Sequence, residues 1–338
     1  MVNIGINGFG RIGKLVFYAI ENRRLQGEDI QVVAVNNFPS ELNYMKYQIE
    51  HDSVHNVPKF NVVVKDEQLF INDNEIKVYS CKEPEKINWD EANVDVVVES
   101  TGFFTKKDDA NKHMINTNVK KVVISAPSSD APMYVIGVND EQYKGESIVS
   151  NASCTTNGLG PLVKVLHEKY EITEGLMSTI HSSTATQRVV DGTSNKDWRG
   201  GRAAGLNIIP AATGAAKAIG KVIPDLDGKI TGLAFRVPVY DVSVIDFTFK
   251  VNRETTYEEM MKLLKEKSEN ELKGILAFTE DDVVSSDFIG NSNSSIVDKK
   301  AGVSIGSSMF KIVSWYDNEW GYSNRLVDLI KRISHKAE

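Results

Sequence analysis

A glycine motif directly behind the first apolar strand limits the fold more than any other stretch of the chain. Apolar residues alternate with small or polar ones over residues 2–6, and the chain then runs from Gly8 to Gly13 (GFGRIG) into an apolar helical pattern. This is G-x-G-x-x-G between a strand and a helix, the setting that a dinucleotide-binding βαβ unit requires. Gly8 permits the tight turn, Gly10 admits a pyrophosphate close to the backbone, and Gly13 lets helix pack on strand. The motif therefore predicts a dinucleotide-binding domain.

The strand ends that follow support the same domain type. An apolar run over residues 94–98 leads into Glu99 and small residues, and a second run over 122–124 leads into Ser125. Small and polar residues at the carboxyl ends of parallel strands are typical of doubly wound sheets, which bind their ligands there. Residues 1–152 are thus predicted to form a Rossmann-type doubly wound α/β domain.

The second strand, near residues 31–35, ends in Asn36 and Asn37. An acidic residue is expected at this place because its carboxylate binds the ribose 2′-hydroxyl of NAD. An amide stands there instead. Two readings stay open, since asparagines at this position also suit a plain turn into the next helix.

Composition excludes several classes of function. The chain has 338 residues, enough for two domains, and its formal net charge of -7 argues against a nucleic-acid surface, which needs a basic face. No apolar run approaches the roughly 18 residues that a membrane helix needs. The two cysteines give no disulfide framework and no metal-ligand spacing, so we expect a reducing compartment and no metal. The strand pattern begins at Val2, so we expect no targeting peptide and a cytoplasmic location.

A polar run around one cysteine is the strongest candidate for chemistry. Cys154 lies in the segment Ser150–Asn157 (SNASCTTN), between a short strand pattern and a helix pattern. Unpaired N–H groups at a helix N-terminus stabilise a thiolate, which is the nucleophilic form. Most free cysteines are instead buried core residues. The hydroxyl neighbours, including Ser153 and Thr155, favour a reactive thiol in an anion-binding turn.

Of six histidines, His181 is the one with a functional setting. It ends an alternating strand pattern and precedes three hydroxyl residues that include Thr184. We predict that His181 activates Cys154 as a base or by ion pairing. The other five histidines have no motif around them and are read as structural.

Two further features predict anion binding in the second half of the chain. Thr213 and Gly214 open a small-residue helix, whose N-terminus suits a phosphate. Arg236 lies in an apolar strand, where a guanidinium is costly unless it meets a carboxylate or a phosphate. Long alternating strands here predict an α+β catalytic domain, residues 153–316, with a mostly antiparallel sheet. The polar segment 182–206 is long enough to be functional.

Taken together, the motifs resemble those of the phosphorylating glyceraldehyde-3-phosphate dehydrogenases over essentially the whole chain. The resemblance is highly specific because eight separate segments match. They are Asn7–Gly13 (NGFGRIG), Ser150–Asn157 (SNASCTTN), Thr184–Gln187 (TATQ), Asn207–Pro210 (NIIP), Thr213–Lys217 (TGAAK), Phe235–Pro238 (FRVP), Ser314–Glu319 (SWYDNE) and Gly321–Asn324 (GYSN).

The resemblance implies a role for each matching residue. Cys154 would attack the aldehyde, with His181 taking the hydroxyl proton as hydride leaves, and inorganic phosphate would cleave the thioester. Thr184 and Arg236 would bind the substrate phosphate, and Thr155 is also assigned to the substrate- and phosphate-binding residues. The residues implied for the attacking phosphate are Ser153, Thr213 and Gly214. Cofactor contacts are implied for Gly8, Gly10, Arg11, Ile12, Gly13, Asn37, Lys82, Ser125 and Asn318.

The family resemblance also implies the assembly. The last helix, residues 317–338, would complete the dinucleotide-binding domain, and four subunits would form a homotetramer with the 182–206 segment near a neighbour's cofactor. The implied activity is the glycolytic oxidation of D-glyceraldehyde 3-phosphate by NAD, through a thioester, in the cytoplasm. No membrane and no nucleic acid are implied as partners.

Four positions depart from the common family pattern. Asn37 replaces aspartate, Lys82 replaces arginine, Thr193 replaces proline, and Gly158 replaces a second cysteine. The first three bear on cofactor choice, so NAD with relaxed selectivity and use of NADP stays open. An erythrose-4-phosphate dehydrogenase, which the Thr213–Gly214 pair disfavours, stays open as well. So does a dinucleotide-binding protein without catalysis.

Overall fold

The chain folds into two compact units, each with its own sheet. The computed structural model describes residues 1–56, 59–195 and 197–334. The units comprise Met1–Tyr134, Gln142–Ala152 and Ser323–Glu338 in the first, and Val135–Glu141 with Ser153–Tyr322 in the second.

Eight strands form the sheet of the first unit. They are β1 (Val2–Asn7), β2 (Ile30–Asn36), β3 (Val62–Lys65), β4 (Gln68–Ile71), β5 (Asn74–Tyr79), β6 (Val96–Glu99), β7 (Lys121–Ile124) and β8 (Ile148–Ser150). Their order across the sheet is β3-β4-β5-β2-β1-β6-β7-β8. All pairs from β5 to β8 are parallel, while β3-β4 and β4-β5 are antiparallel.

Burial explains why the central strands are continuous apolar runs. All four residues of β6 are buried, as are the last four of β1. A strand that is covered on both faces gains burial energy at every position, not at alternate ones. Because β1, β2 and β6 are parallel, their carboxyl ends lie at the same edge of the sheet. The polar residues predicted for ligand binding lie at this edge.

Seven strands form the sheet of the second unit. They are β9 (Ile172–His181), β10 (Ile209–Ala212), β11 (Ile230–Arg236), β12 (Ser243–Val251), β13 (Leu276–Thr279), β14 (Ser295–Ile305) and β15 (Met309–Tyr316). The order is β10-β11-β9-β12-β15-β14-β13. Four of the pairs are antiparallel, and β9-β11 and β13-β14 are parallel. The predicted fold class, a Rossmann-type sheet plus a mostly antiparallel one, is confirmed.

Seven α-helices accompany these strands in the described part of the chain. They are α1 (Arg11–Leu25), α2 (Leu42–Glu50), α3 (Lys107–Ala110), α4 (Cys154–Tyr170), α5 (Ala215–Val222), α6 (Tyr257–Glu269) and α7 (Trp320–Ser334). Among the described residues, none of these helices combines the length and the apolar character needed to cross a membrane.

The final helix belongs mainly to the first unit. From Ser323 onward the chain groups with the dinucleotide-type sheet, and Arg23 of α1 donates to the Asp328 carboxylate at 2.6 Å. The compact units differ from the predicted domain bounds in two segments. Residues 135–141 and 317–322 group with the second unit, although both were assigned to the first domain by sequence.

Candidate active site

Cys154 is the first residue of α4, as the sequence pattern predicts. Ser153 is the N-cap, and its hydroxyl oxygen accepts a hydrogen bond from the Thr156 backbone N–H at 3.0 Å. A serine cap satisfies one of the backbone donors that a helix start leaves without a partner. The cap fixes the turn in which the half-buried Cys154 side chain lies.

His181 lies beside this thiol. Its Nε2 atom is 3.4 Å from Cys154 Sγ, and the ring is buried. His181 ends β9, so the strand supplies the histidine and the start of α4 supplies the cysteine. A nucleophile within hydrogen-bonding reach of a base is the arrangement that covalent catalysis requires.

Burial shifts the pKa values of both groups. It raises the pKa of the Cys154 thiol, and the nearby positive charge of Arg236 opposes this effect only in part. Burial, with the Arg236 charge adding to it, lowers the pKa of His181 to about 4. Desolvation thus opposes the charged form of each group, whereas the helix terminus and the mutual attraction of the two charges favour it. Activation of the thiol by His181, as base or by ion pairing, stays a prediction.

Arg236 reaches the other nitrogen of the same ring. Its Nη1 atom lies 2.7 Å from His181 Nδ1, and the Ser182 carbonyl oxygen lies 2.8 Å from that nitrogen. The strand register explains this contact, because β11 pairs in parallel with β9 and places Arg236 opposite His181. In the described chain, no ion pair joins Arg236 to a carboxylate. The sequence predicted a carboxylate or phosphate partner, so an anion-binding role for Arg236 stays a prediction.

Tyr316 is a site residue that the sequence analysis missed. Its hydroxyl bonds to Thr155 Oγ1 at 2.9 Å and to Thr179 Oγ1 at 2.8 Å, and its ring meets the His181 ring edge-on at 5.9 Å. It thus connects the first turn of α4 to β9. Alternate residues of β15 are buried and Tyr316 is one of them, but the strand sequence MFKIVSWY does not alternate between apolar and polar residues and so gave no signal for it.

The other predicted anion-binding residues lie in the same unit. Gly214 is the N-cap of α5, and Thr213 Oγ1 accepts from the Ala215 N–H at 3.2 Å. Thr184 follows β9 by three residues, and its backbone N–H donates to the Gln187 side chain. Thr184 and Thr213 are half-buried, so part of each side chain is open to solvent.

In the first unit, the glycine motif fits a bound dinucleotide. Gly8 has φ of +92°, and a Cβ there would lie 2.8 Å from the Thr101 backbone nitrogen. A Cβ on Gly13 would lie 2.0 Å from the Gly8 carbonyl oxygen, so helix and strand are too close for any side chain. A Cβ on Gly10 would meet no protein atom within 4 Å. Protein packing thus explains why Gly8 and Gly13 are glycines. Gly10 leaves open space at the start of α1, where a pyrophosphate would bind.

A cavity of about 650 Å³ adjoins this turn. Asn37 and Lys82 both line it, as do Gly8 and Gly10. Asn37 Oδ1 accepts from the Phe9 backbone N–H at 3.3 Å, and the Lys82 ammonium lies 4.7 Å above the Phe38 ring. The two departures from the family pattern thus share one pocket, at the end of β2.

The remaining predicted cofactor residues are more widely placed. Arg11 is the first residue of α1, so its backbone N–H lies at the helix start. Its guanidinium forms an ion pair with Asp52. Ile12 follows it in α1, while Ser125 directly follows β7. Asn318 lies in the second unit, where its Oδ1 atom accepts hydrogen bonds from two buried serine hydroxyls.

A buried polar network supports the floor of the cavity. Glu99 accepts from Asn7 Nδ2 at 2.6 Å and from the Thr101 backbone N–H at 2.8 Å. Trp89 Nε1 donates to His113 Nδ1 at 3.2 Å, so the other ring nitrogen of His113 carries hydrogen and donates to Glu99 at 3.0 Å. His113 was read as structural, and this pairing agrees. The carboxylate of Glu99 at the end of an apolar run was the sequence signal for this network, because a buried charge needs hydrogen-bonding partners.

A dinucleotide-type sheet in one unit and a cysteine–histidine pair in the other define a dinucleotide-dependent dehydrogenase. Comparison with known proteins specifies which one. Two family models match: glyceraldehyde 3-phosphate dehydrogenase, NAD binding domain, over residues 2–107, and the C-terminal domain of the same enzyme over residues 153–318. The chain belongs to the glyceraldehyde-3-phosphate dehydrogenase family, and it is an oxidoreductase that uses NAD.

Relatives match over nearly the full length. The cytosolic glyceraldehyde-3-phosphate dehydrogenases of Mesembryanthemum crystallinum and Sinapis alba are each 56% identical over 336 residues, covering 98% of this chain and 98% of theirs. The cytosolic enzyme of Taxus baccata is 56% identical over 339 residues, covering 99% of this chain and 98% of its own.

Proposed function

We propose that this protein oxidises D-glyceraldehyde 3-phosphate to 1,3-bisphosphoglycerate in glycolysis, with NAD and inorganic phosphate, through a thioester on Cys154. One observation carries the proposal: Cys154 Sγ lies 3.4 Å from His181 Nε2, with Arg236 on the far side of the same ring. A nucleophile, a base and a cation that lacks a carboxylate partner among the described residues suit a phosphorylated aldehyde.

The residues divide the reaction between them. His181 Nε2 takes the proton of the Cys154 thiol, the thiolate attacks the aldehyde carbon, and the imidazolium returns the proton to the aldehyde oxygen, which gives a hemithioacetal. His181 Nε2 then accepts the hydroxyl proton as hydride leaves that carbon, and a thioester remains. The bound nicotinamide supplies the hydride acceptor. Inorganic phosphate attacks the thioester carbonyl, the C–S bond breaks, and Cys154 is released with the acyl phosphate as product.

The two phosphates would occupy different parts of the second unit. Arg236 and Thr184 are proposed for the substrate phosphate, and Thr155, bound to Tyr316, would keep the start of α4 in place beside it. Ser153, Thr213 and Gly214 are proposed for the attacking phosphate. Hydroxyls and backbone N–H groups at helix starts bind phosphate through oriented donors.

A cofactor-reduction assay tests the proposal. Purified protein with D-glyceraldehyde 3-phosphate and NAD should form NADH in a single stoichiometric turnover without phosphate. It should continue to form NADH only when excess inorganic phosphate is added. Steady NADH formation without phosphate would show hydrolysis of the thioester and would overturn the phosphorylating reaction. The absence of any NADH, with cofactor binding intact, would favour a binding protein.

Replacing Arg236 by leucine should weaken the phosphorylated substrate selectively. Each lost hydrogen bond to a charged group costs about 1.5 to 3 kcal/mol, or roughly 10- to 150-fold in kcat/KM. Unphosphorylated glyceraldehyde should be affected far less. Steady-state kinetics with both aldehydes measure the difference, and Arg253→Leu, which removes an exposed arginine paired with Glu171, is the matched control. An equal loss for both aldehydes would make Arg236 structural.

We further propose that cofactor choice is relaxed, with NAD preferred and NADP used. Asn37 keeps an acceptor oxygen for the ribose hydroxyls, yet it lacks the charge that would repel a 2′-phosphate, and Lys82 adds a positive charge to the same cavity. Gly8, Gly10, Arg11, Ile12 and Gly13 would bind the phosphates, with Ser125 and Asn318 serving the nicotinamide half.

Asn37→Asp should sharpen the preference for NAD. A new carboxylate about 4 Å from a phosphate costs roughly 1 to 4 kcal/mol, so the KM for NADP should rise at least about fivefold while that for NAD changes little. Asn43→Asp adds the same charge on α2 at an exposed position and is the control. If the wild type already excludes NADP as strictly as Asn37→Asp, another group selects the cofactor.

The protein is also proposed to assemble as a homotetramer. Trp198 and Leu206 are each 86% exposed and Ile208 is 70% exposed, all around the 182–206 segment of the second unit. Several exposed apolar side chains in one stretch of the chain favour an association surface, and the family resemblance makes a second copy of this chain the partner.

Leu206→Asp should reduce the assembled mass. A buried unpaired carboxylate at an interface costs several kcal/mol, so multi-angle light scattering should show four chains for the wild type and fewer for Leu206→Asp. Leu25→Asp, at an exposed leucine of α1 in the first unit, is the control. A wild-type mass of one chain would contradict the proposal.

We propose that the protein is cytoplasmic, because several of its relatives are named cytosolic. Both thiols are free in the structure, which suits a reducing compartment. Fractionation of the source cells with an antibody to this chain would test the location.

A further inference from the structure

The side chain of Asn36, at the end of β2, holds the chain segment that follows β5. Its Oδ1 atom accepts from the Cys81 backbone N–H at 2.8 Å, and its Nδ2 atom donates to the Cys81 carbonyl oxygen at 3.0 Å. The register of β2 with β5 ends at Asn36 and Tyr79. These two hydrogen bonds, here called the Asn36 bracket, therefore continue the strand pairing with a side-chain amide in place of a backbone.

The Asn36 amide has no hydrogen left for a ligand. Its Nδ2 atom also donates to Asn7 Oδ1 at 2.7 Å, and the residue is only 3% exposed. An amide nitrogen carries two hydrogens, and both are now used. Although Asn36 borders the cavity at the end of β2, its amide binds the protein itself.

Glu99 fixes the orientation of this amide through Asn7. Asn7 Nδ2 donates to the Glu99 carboxylate at 2.6 Å. A carboxylate only accepts, so Asn7 must present its nitrogen to Glu99 and its oxygen to Asn36. Asn36 must then turn its nitrogen toward Asn7, which leaves its oxygen for the Cys81 N–H. Reversing either amide would bring oxygen against oxygen.

Three further donors hold the Glu99 carboxylate in place. They are His113 Nε2 at 3.0 Å, the Thr101 backbone N–H at 2.8 Å and the Thr101 hydroxyl. Glu99 and His113 are both buried. A buried network in which the bonds are made is rigid, because breaking one leaves an unpaired polar atom away from water. The support of the Asn36 bracket is therefore rigid.

The bracket places the residue that follows Cys81. Cys81 and Lys82 both line the cavity of about 650 Å³. Lys82 is exposed, with its ammonium 4.7 Å above the Phe38 ring. The backbone of Cys81 is held at its N–H and at its carbonyl oxygen, so the peptide that leads into Lys82 is fixed as well.

We propose that Asn36 is a positioning residue for the cofactor, which holds Cys81 and Lys82 as the cavity wall against which the adenosine half of the dinucleotide binds. This inference rests on the proposed cofactor contact of Lys82 and adds a residue that acts through it. Loss of the bracket should loosen residues 81 and 82 and weaken cofactor binding. It should leave the hydride step unchanged, because the bracket does not reach Cys154 or His181.

Two substitutions separate the bracket from simple packing. Asn36→Leu nearly keeps the size of the side chain and removes its three hydrogen bonds. Asn36→Asp keeps an acceptor for the Cys81 N–H but turns its second oxygen toward two other oxygens, those of Asn7 and of the Cys81 carbonyl. Because Glu99 prevents Asn7 from reversing, Asn36→Asp should have at least as large an effect as Asn36→Leu. The same two substitutions at Asn43, exposed on α2, are the controls.

The Cys81 thiol reports the state of the segment. Its alkylation by iodoacetamide, followed by mass spectrometry without cofactor or aldehyde, should be about tenfold faster in both Asn36 variants, equivalent to one or two lost hydrogen bonds. Labelling of Cys154 in the same digest should stay unchanged, and both Asn43 variants should label as the wild type. Wild-type labelling of Cys81 in either Asn36 variant would overturn the proposal. Faster labelling of both cysteines would make Asn36 a residue of general stability and would overturn it too.

Isothermal titration calorimetry with NAD alone measures the effect on the cofactor. The Kd for NAD should rise about fivefold or more in both Asn36 variants, the factor that one lost hydrogen bond gives. The kcat at saturating NAD should stay within about twofold of wild type. Faster Cys81 labelling with unchanged NAD affinity would refute the positioning role. No aldehyde or phosphate is present in the titration, so a wild type that binds NAD but proves inactive would lose the proposed reaction and leave this test intact.

Discussion

Cys154→Ser is expected to lower dehydrogenase turnover by on the order of 10⁴- to 10⁶-fold, the span seen when a covalent nucleophile is removed. Serine is almost isosteric, so the helix start and its cap should persist. A hydroxyl, however, has no accessible anion near neutral pH. Single-turnover NADH formation measures the loss.

The matched control is Cys81→Ser. Cys81 is the other free cysteine, half-buried in the first unit, and its loss should leave turnover near wild type. The affinity of Cys154→Ser for NAD, measured by fluorescence titration, should equal that of the wild type. Turnover within about tenfold of wild type in Cys154→Ser would refute the thioester mechanism.

His181→Asn is expected to lower turnover by roughly 10²- to 10⁴-fold, the usual contribution of a general base. Asparagine keeps a polar group in the cavity but cannot accept the hydroxyl proton of the hemithioacetal. The loss should appear in kcat, because the aldehyde phosphate is bound by other residues. Rapid-mixing kinetics that isolate the hydride step provide the measurement.

Alkylation of the same variant gives an independent check. Loss of an imidazolium partner would raise the pKa of the Cys154 thiol, so this variant should be labelled more slowly by iodoacetamide near neutral pH. Unchanged labelling together with a collapse of turnover would show that His181 acts only as a base. His167→Asn, on the same helix as Cys154, is the control, since burial lowers the pKa of this histidine as well and it lies away from the thiol.

Local sequence carried much of the site. The turn at Gly8–Gly13 depends on a few consecutive residues, and so does the start of α4 at Cys154. The local sequence pattern was therefore enough to predict both. His181 followed from alternation that stops at a hydroxyl cluster. Local sequence does not fix every helix boundary: serine is a common N-cap residue, yet Glu41, not the preceding Ser40, caps α2 by accepting from the Asn43 and Tyr44 N–H groups.

Long-range pairing carried the rest, and sequence could not supply it. Arg236 meets His181 because two strands pair in one register across 55 positions, and a shift of that register by one residue would point the guanidinium to the opposite face. The effect of burial on the pKa of the Cys154 thiol could not be read from the local sequence either. Desolvation depends on every group packed around the sulfur, whereas the helix terminus is visible in the local sequence.

The last helix has a consequence for how the chain is made. From Ser323 onward, α7 supplies buried residues such as Leu326 and Ile330 to the first unit, and Asp328 binds Arg23. Residues 153–322 leave the ribosome before this helix does, which takes on the order of 10 s or more at about 5–20 residues per second. Throughout that interval the N-terminal sheet exists without its final covering helix. Chaperone capture of nascent chains should therefore persist until α7 has left the ribosome, and a stop codon ahead of Ser323 should leave an aggregation-prone product.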